Sequence, residues 1–197
     1  MHKGQAGKTA IIAGSSEMMG AAILSCMGAF AVGAGYVYLY TIKSKCDQIV
    51  LSYPELIVRA CKETDDGYIR SSNLNYILSK LKSDGCNSIA VGPGMGTGDE
   101  ISHLVNMLIF EHKISNNIPT VIDADALNIL RVNDLCQCDE DSIVCTPHSG
   151  EFDRMFPNLK SKDREEKVQH AYQKTKQIML LKGHETLVKS KENLYRN

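Results

Sequence analysis

The sequence has no tryptophan, and only 6% of its 197 residues are aromatic. Proteins that bind single-stranded nucleic acid stack bases on aromatic side chains, so the composition does not indicate this class. The 22 Lys and Arg residues balance the 23 Asp and Glu residues, which leaves a formal net charge of -1. Without a basic surplus, neither nucleic acid nor an anionic membrane is predicted as a partner.

The seven cysteines follow no disulfide pattern, because their number is odd and their spacing is irregular. Cys136 and Cys138 form the only close pair in the sequence, and they lack the C-x-x-C spacing. The clustered Cys and His pairs that a structural zinc site requires are missing as well. The sequence therefore predicts reduced, mostly buried thiols and a cytoplasmic location.

No charged residue occurs from Met18 to Ile42, a length that could span a membrane. Glycines interrupt this stretch, however, and its second half changes to the strand-like sequence YVYLYT. Glu17 and a strand-like run precede it, which does not fit a signal peptide. We interpret the stretch as a buried helix, a glycine turn and a strand.

Strand-like and helix-like segments alternate along the chain without a repeat or a linker. The sequence predicts an α/β fold as a single domain over residues 1–197, with a doubly wound, mostly parallel central sheet and helices on both faces. The predicted strands are Thr9–Ala13, Tyr36–Thr41, Ser88–Val91, Thr120–Ile122, Ser142–Cys145 and a final pair within QIMLLKG and ETLVKS. The predicted helices are Glu17–Val32, Pro54–Cys61, Asn73–Lys82, Asp99–His112, two shorter ones from Ala126 and Gly150, and a charge-rich one within Lys160–Lys176.

Ligands of such sheets bind beside the carboxyl ends of the strands, and glycine or serine follows two of the predicted strands. The turn GSS at 14–16 suits an anion at a helix start, unless a serine simply caps that helix. The glycines of GPGMGTG at 92–98 let the backbone pass close to a ligand, but they do not fit the G-x-G-x-x-G fingerprint. GQAGKT at 4–9 is not a P-loop, because only two residues separate its glycines and it precedes a strand.

Two acids follow the strand Thr120–Ile122 with one residue between them. Buried carboxylates are costly unless something compensates their charge. Asp123 and Asp125 could bind Mg²⁺, orient a hydroxyl or hold a lysine. Asp125 could instead cap a helix that begins at Ala126.

Polar residues also follow the last two parallel strands. His148 and Glu151 of TPHSGEF are three residues apart, on one side of the first turn of a predicted helix. A ligand contact and an ordinary capping role are both open for His148. Lys182 and Gly183 of KGHET suit a contact to a nucleotide phosphate or ribose, unless they only form a solvated turn.

In this order, the motifs resemble the NAD(P)H-hydrate dehydratase family of the ribokinase-like superfamily. The similarity runs from His2 to Val188 and includes GPGMG, DADALN, TPHSGE and KGHET. The resemblance implies a lyase of metabolite repair that restores hydrated NADH or NADPH. ATP or ADP phosphorylates the ring hydroxyl, and loss of phosphate then regenerates the double bond. Phosphate is a much better leaving group than hydroxide, so catalysis would depend mainly on positioning and charge stabilisation.

The resemblance also implies site residues. The hydrated dinucleotide would contact the positions that match the family's substrate motifs, which are Gly20, Ala21, Gly94, Gly96, Asp123, Asp125, His148 and Glu151. The adenine nucleotide, with Mg²⁺, would contact Lys182, Gly183, His184, Glu185 and Thr186. A homo-oligomer is expected.

The sequence departs from the family pattern at its carboxyl end. Family members carry a second glycine-rich segment resembling GNPGMATGGTGD, whose Asp is the expected catalytic base. That segment would follow Asn197, so we expect a carboxyl-terminally incomplete chain whose catalytic residue lies beyond it. Two alternatives to the dehydratase follow: another ribokinase-like small-molecule kinase, and a non-catalytic nucleotide-binding protein of the same fold.

Overall fold

The computed structural model describes residues 6–111 and 118–197, which form one mixed sheet of nine strands with helices on both faces. The strands are β1 (Lys8–Ile12), β2 (Tyr36–Ile42), β3 (Ile57–Cys61), β4 (Ser88–Val91), β5 (Thr120–Ile122), β6 (Ile143–Cys145), β7 (Ile178–Leu181), β8 (Leu187–Lys189) and β9 (Leu194–Arg196). The helices are α1 (Met19–Ala31), α2 (Cys46–Ser52), α3 (Leu74–Asp84), α4 (Asp99–Asn106), α5 (Asp125–Ile129), α6 (Val132–Leu135), α7 (Ser149–Met155) and α8 (Arg164–Thr175).

The strands lie in the order β3-β2-β1-β4-β5-β6-β7-β8-β9. Strands β1 to β7 pair in parallel, whereas β8 and β9 are added to β7 as antiparallel neighbours. The chain builds outward from β1 in one direction through β2 and β3, and in the other direction from β4 onward. The predicted doubly wound, mostly parallel sheet and its closing hairpin are confirmed.

The central strands are apolar runs because both faces of a parallel sheet are covered. Six of the seven residues of β2 are buried. In β1 the side chains alternate between two cores. Ala10 and Ile12 belong to the large core beneath α3, α4 and α8, and Ile11 belongs to a smaller core beneath α1 and α2.

The sheet face that carries α1 and α2 is less completely buried over strands β4 to β7. Ala90, Val121, Val144 and Ile178 follow Ile11 in register across β4 to β7, so they lie on this face. All four are only half-buried, while their strand neighbours Ile122 and Cys145 on the opposite face are fully buried. An apolar strip is therefore partly exposed to solvent on one side of the sheet.

The prediction of a helix over Pro54–Cys61 is wrong. Ile57–Cys61 is the edge strand β3, and the helix of this region is α2, which ends at Ser52. A short apolar run does not distinguish a helix from a strand, and here pairing with β2 decides for the strand. Arg59 of this strand makes a bidentate ion pair with Asp84, at 2.7 and 2.9 Å.

Other elements also differ from the sequence-based expectation. Helix α1 begins at Met19 rather than Glu17, and α4 continues after Asn106 as a π-helical turn over Met107–Glu111, with His112 outside the described residues. Strand β9 lies in a stretch for which the sequence predicted no element. Among the described residues, no helix is long and apolar enough to cross a membrane.

Candidate functional site

The predicted site residues lie along one edge of the sheet, where the parallel strands end. A glycine-containing turn follows β1, a glycine-rich loop follows β4, and Asp123, His148 and Lys182 come after β5, β6 and β7. These five strands are neighbours in the sheet, so their ends form a continuous edge. Between β1 and β4 the chain reverses the direction in which it builds the sheet, and ligands of such sheets bind in the crevice at this point.

The loop after β4, residues 92–98, packs against its surroundings so closely that side chains are excluded. Gly92 has a φ of +126°, and a Cβ atom there would lie 1.9 Å from the carbonyl oxygen of Asp123. At Gly96, with a φ of +82°, a Cβ atom would lie 2.6 Å from the ring of Tyr68. Only glycine fits these positions without displacing the backbone of a neighbouring strand end or the partly buried ring of Tyr68.

The start of α1 lies directly beside this loop. A Cβ atom at Gly94 would lie 3.1 Å from the Cβ of Ala21 and 2.6 Å from the carbonyl oxygen of Met18. Gly20 precedes Ala21 in the first turn of the helix, and it is exposed. Four of the eight residues predicted to contact the dinucleotide therefore lie in this helix start and the adjoining loop, since Gly96 belongs to the same loop as Gly94.

The turn after β1 does not cap α1. The helix begins at Met19 and no side chain caps it, so the serine-cap interpretation is wrong. Ser15 is buried, and the N–H of Ser16 donates to the carbonyl oxygen of Gly67 at 2.9 Å. The chain thus uses this turn to bind a second loop rather than to start the helix.

The two acids after β5 point to different partners. Lys182 Nζ donates to Asp123 Oδ1 at 2.7 Å, and the N–H of Gly96 donates to Asp125 Oδ2 at 2.8 Å. Ala124 between them has a φ of +50°, an uncommon conformation for a residue with a side chain. Such strain persists where the surrounding contacts hold it, and it clusters at functional sites.

Of the possible roles for the two acids, the structure shows the lysine partner for Asp123. The prediction that Asp125 caps the next helix is wrong, because α5 begins at Asp125 itself and no side chain caps it. Its carboxylate instead holds the glycine loop. Among the residues that the structure describes, no group of three or more His, Cys, Asp and Glu side chains is arranged to bind a metal ion.

His148 is the amino-terminal cap of α7, and it forms a capping box with Glu151. Its Nδ1 accepts from the N–H groups of Gly150 and Glu151, at 3.0 and 3.3 Å, while Glu151 Oε2 accepts from the N–H of His148 at 2.8 Å. With Nδ1 occupied as an acceptor, a neutral ring carries its proton on Nε2. The His148 side chain is 55% exposed, whereas that of Glu151 is 7% exposed.

The segment after β7, residues 182–186, is tied to the His148 segment through the backbone. The N–H of Lys182 donates to the carbonyl oxygen of Pro147 at 2.9 Å, and an isolated parallel bridge pairs His148 with Lys182. Further along, Gly183 and His184 are exposed, and Glu185 makes an ion pair with Arg196 at 3.1 Å. His148 and Lys182, which are 34 positions apart in the sequence, therefore lie side by side.

The cysteine nearest this edge is not a nucleophile. Cys145 ends β6, three residues before His148, and it is fully buried. Burial raises the pKa of its thiol to about 12, so the thiol stays protonated at neutral pH. The seven cysteines, all within the described residues, form no disulfide.

The sequence analysis missed two residues at this edge. Tyr68 packs its ring on Gly96, and it belongs to a tight loop whose Gly67 contacts Ser16. Arg164 donates hydrogen bonds to the segment after β7. The D-D-G sequence before Tyr68 signals a turn, but nothing local in the sequence indicates where that turn packs.

A family model described as NAD(P)H-hydrate dehydratase matches residues 9–197. The chain belongs to this family. The match includes the ends of β1, β4, β5, β6 and β7, where the predicted site residues lie. The NAD(P)H-hydrate dehydratase motifs therefore occur at the same strand ends that the structure brings together. This confirms the resemblance that the motifs GPGMG, DADALN, TPHSGE and KGHET indicated.

Relatives of known name support the same family. The chain is 36% identical over 193 residues to the bifunctional NAD(P)H-hydrate repair enzyme of Dictyoglomus turgidum, a match that covers 95% of this chain and 36% of that protein. It is 33% identical over 160 residues to the ATP-dependent (S)-NAD(P)H-hydrate dehydratase of Aedes aegypti, covering 80% and 45% of the two chains. The chain spans less than half the length of these relatives.

Solved structures show the same fold. A ribokinase-like superfamily protein from Enterococcus faecalis superposes with a TM-score of 0.83 at 20% identity, covering all of this chain and 64% of that one. The ADP/ATP-dependent NAD(P)H-hydrate dehydratase from Bacillus subtilis, co-crystallised with ATP and Mg²⁺, gives 0.74 at 24% identity, covering 100% and 65%. The predicted ribokinase-like fold is confirmed.

Proposed function

We propose that the protein acts in metabolite repair, using ATP or ADP to dehydrate hydrated NADH or NADPH. The observation that supports this most directly is the crevice at the ends of β4 to β7. There the glycine loop, the Asp123–Lys182 ion pair and the half-exposed ring of His148 converge. Such a crevice offers close backbone approach for a dinucleotide beside a cation for a phosphate.

The dinucleotide would lie along the glycine loop and the start of α1. Gly20, Ala21, Gly94 and Gly96 offer little side-chain bulk, which supports a planar ring or a pyrophosphate packed against the backbone. The Nε2 of His148, which lies 3.4 Å from Glu151 Oε1, would donate to the hydrated nicotinamide. Glu151, which is buried and bonded to the N–H of His148, would position this ring rather than touch the substrate.

The adenine nucleotide would lie against the segment 182–186, with its phosphates near Lys182. Mg²⁺ usually binds proteins through one or two carboxylates together with substrate phosphates, and Asp123 and Asp125 lie at this position. Because the two acids point to different partners, one of them would supply a single oxygen to such an ion, with the nucleotide and water supplying the others. Bound there, Mg²⁺ would neutralise charge on the phosphates.

The reaction can be tested by incubating the protein as it is naturally expressed, rather than residues 1–197 alone, with hydrated NADH and either ATP or ADP. Nucleotide-dependent return of the near-ultraviolet absorbance of reduced nicotinamide is the expected result. Nucleotide consumption with a hydroxymethylpyrimidine, thiazole or sugar alcohol, and none with hydrated NADH, would favour a small-molecule kinase instead. Tight nucleotide binding without turnover of either substrate would favour a binding protein.

Two substitutions of His148 separate its roles in capping and in binding. Asparagine keeps an acceptor at the cap, so His148→Asn should leave the free energy of unfolding nearly unchanged, while His148→Ala should lower it by about 1 kcal/mol. Both variants lose Nε2, so both should bind hydrated NADH more weakly, by about fivefold to tenfold. Denaturant unfolding and a binding titration measure the two effects. Wild-type affinity in both variants would remove His148 from the substrate site.

We also propose a cytoplasmic, reducing compartment, which is supported by seven cysteines that form no disulfide. There the protein would form a homo-oligomer. Helix α1 contains no charged residue, and its Leu24 is 74% exposed, while Leu51 of α2 is 85% exposed. Exposed apolar patches of this kind mark protein contacts.

If these helices contact a second copy, the variant Leu24→Glu/Leu51→Glu should dissociate the oligomer. Two carboxylates would then have to be buried in the contact, which costs several kcal/mol. Sedimentation equilibrium of the variant should give the monomer mass, with the wild type at a multiple of it. A wild-type protein that already sediments as a monomer would contradict the proposal.

A further inference from the structure

Arg164, the first residue of α8, directs its guanidinium at the backbone of the segment after β7. Its Nη2 donates to the carbonyl oxygens of Leu181, Lys182 and Glu185, at 3.0, 3.4 and 2.9 Å. These oxygens lie at both ends of the exposed turn 182–185. One planar cation therefore closes a turn that has no regular secondary structure of its own.

The turn and the guanidinium fit together closely. A Cβ atom added at Gly183 would lie 2.7 to 2.9 Å from the Nη1, Nη2 and Cζ atoms of Arg164. Gly183 has no backbone strain that would require glycine, since its φ is not in the left-handed region. The space above Gly183 is instead filled by the guanidinium.

Arg164 also reaches the segment that carries His148. Its Nη1 donates to Ser149 Oγ at 3.2 Å, and Ser149 is the first residue of α7. The same side chain thus connects the turn after β7 with the start of the helix capped by His148. Lys182 is the first residue of this turn, and its N–H donates to the carbonyl oxygen of Pro147, directly before His148.

Neighbouring carboxylates do not account for this arrangement. Arg196 forms ion pairs with both Glu165 and Glu185, so these acids already have a cationic partner. Arg164 contacts carbonyl oxygens and a hydroxyl, which are neutral acceptors. Its contribution therefore depends on the fixed fork of donors and not on charge alone.

We propose that Arg164 is the positioning residue of the nucleotide segment. It holds the turn 182–185 and the start of α7 in register, so that the Lys182 ammonium points at Asp123 and toward the phosphate position. That this segment binds a nucleotide rests on the proposed function, whereas the ordering of the turn by Arg164 does not. Arg164 itself touches no reacting group.

The test compares Arg164→Ala and Arg164→Lys with wild type, using amide hydrogen exchange and titration with ATP and ADP. We expect exchange at the N–H groups of Lys182 and Thr186, which donate to the carbonyl oxygens of Pro147 and Asn197, to rise about tenfold in both variants. A lysine has a single donor atom, so it cannot reach both the turn and Ser149 Oγ as Nη2 and Nη1 do. Nucleotide dissociation constants should rise about tenfold in parallel. The matched control is Arg59→Ala, which removes the bidentate pair with Asp84 on the opposite edge strand. It should lower the unfolding midpoint without changing either local readout.

The outcomes separate the two proposals. Exchange at Lys182 and Thr186 that stays at the wild-type level in Arg164→Ala, or rises no more than in Arg59→Ala, would overturn the positioning role. Full recovery by Arg164→Lys would also overturn it, since charge alone would then suffice. If wild type binds neither ATP nor ADP, the proposed function fails, while the exchange data still decide whether Arg164 orders the turn.

Discussion

Alanine at position 92 is expected to lower the free energy of unfolding by at least about 3 kcal/mol, the combined cost of backbone strain and overpacking. Gly92 has a φ of +126°, and the new Cβ would lie 1.9 Å from the carbonyl oxygen of Asp123 and 2.8 Å from the Cβ of Ala126. Neither neighbour can move freely, because Asp123 directly follows β5 and Ala126 lies in the first turn of α5. Denaturant unfolding of Gly92→Ala measures the loss.

The matched control is Gly28→Ala in α1. No atom lies within 4 Å of the added methyl group at this position, and the glycine is helical and exposed. Alanine there should stabilise the protein by about 0.5 to 1 kcal/mol, because it reduces the entropy of the unfolded chain. Similar effects of the two substitutions would show that the backbone around Gly92 is not packed as the structure has it.

Replacing Lys182 with methionine is expected to raise the nucleotide dissociation constant about 10- to 100-fold, the value of a charge-assisted contact to phosphate. Methionine keeps most of the apolar stem, so packing is nearly preserved. Stability should change by less than about 1 kcal/mol, because the ion pair with Asp123 is 41% and 31% exposed on its two sides. Titration with ATP and with ADP, together with thermal unfolding, separates these two effects.

A second substitution separates the loss of nucleotide affinity from any loss of stability caused by the unpaired Asp123 carboxylate. The variant Lys182→Met/Asp123→Asn should recover any lost stability, since no unpaired carboxylate remains, but it should not recover nucleotide affinity. Lys162→Met is the control, because Lys162 makes only an exposed ion pair with Glu166 one turn later in the chain. Wild-type nucleotide affinity in Lys182→Met would place the phosphates elsewhere and leave Lys182 a structural role.

Much of this fold could be predicted because its signals are local. Apolar runs such as IMLL at 178–181 identify buried strands, and their alternation with helices indicates a parallel sheet. Because all these strands end at one edge, the sequence also predicted that Asp123, His148 and Lys182 would share a crevice. The error at Ile57–Cys61 also has a local origin, since a five-residue stretch such as IVRAC is too short for its period to separate strand from helix.

The sequence by itself determined which residues lie at the ends of the strands, because periodicity and glycine content are properties of short stretches. Only the tertiary structure decided their partners. Asp123 bonds to Lys182 across 59 positions, and Arg164 reaches carbonyl oxygens on another element. Such pairings depend on which strands are neighbours in the sheet and on how closely the loops pack against one another. No local sequence pattern contains this information. The sequence left several roles open for Asp123 and Asp125, and the structure shows that Asp123 forms an ion pair with Lys182 and Asp125 holds the glycine loop through Gly96.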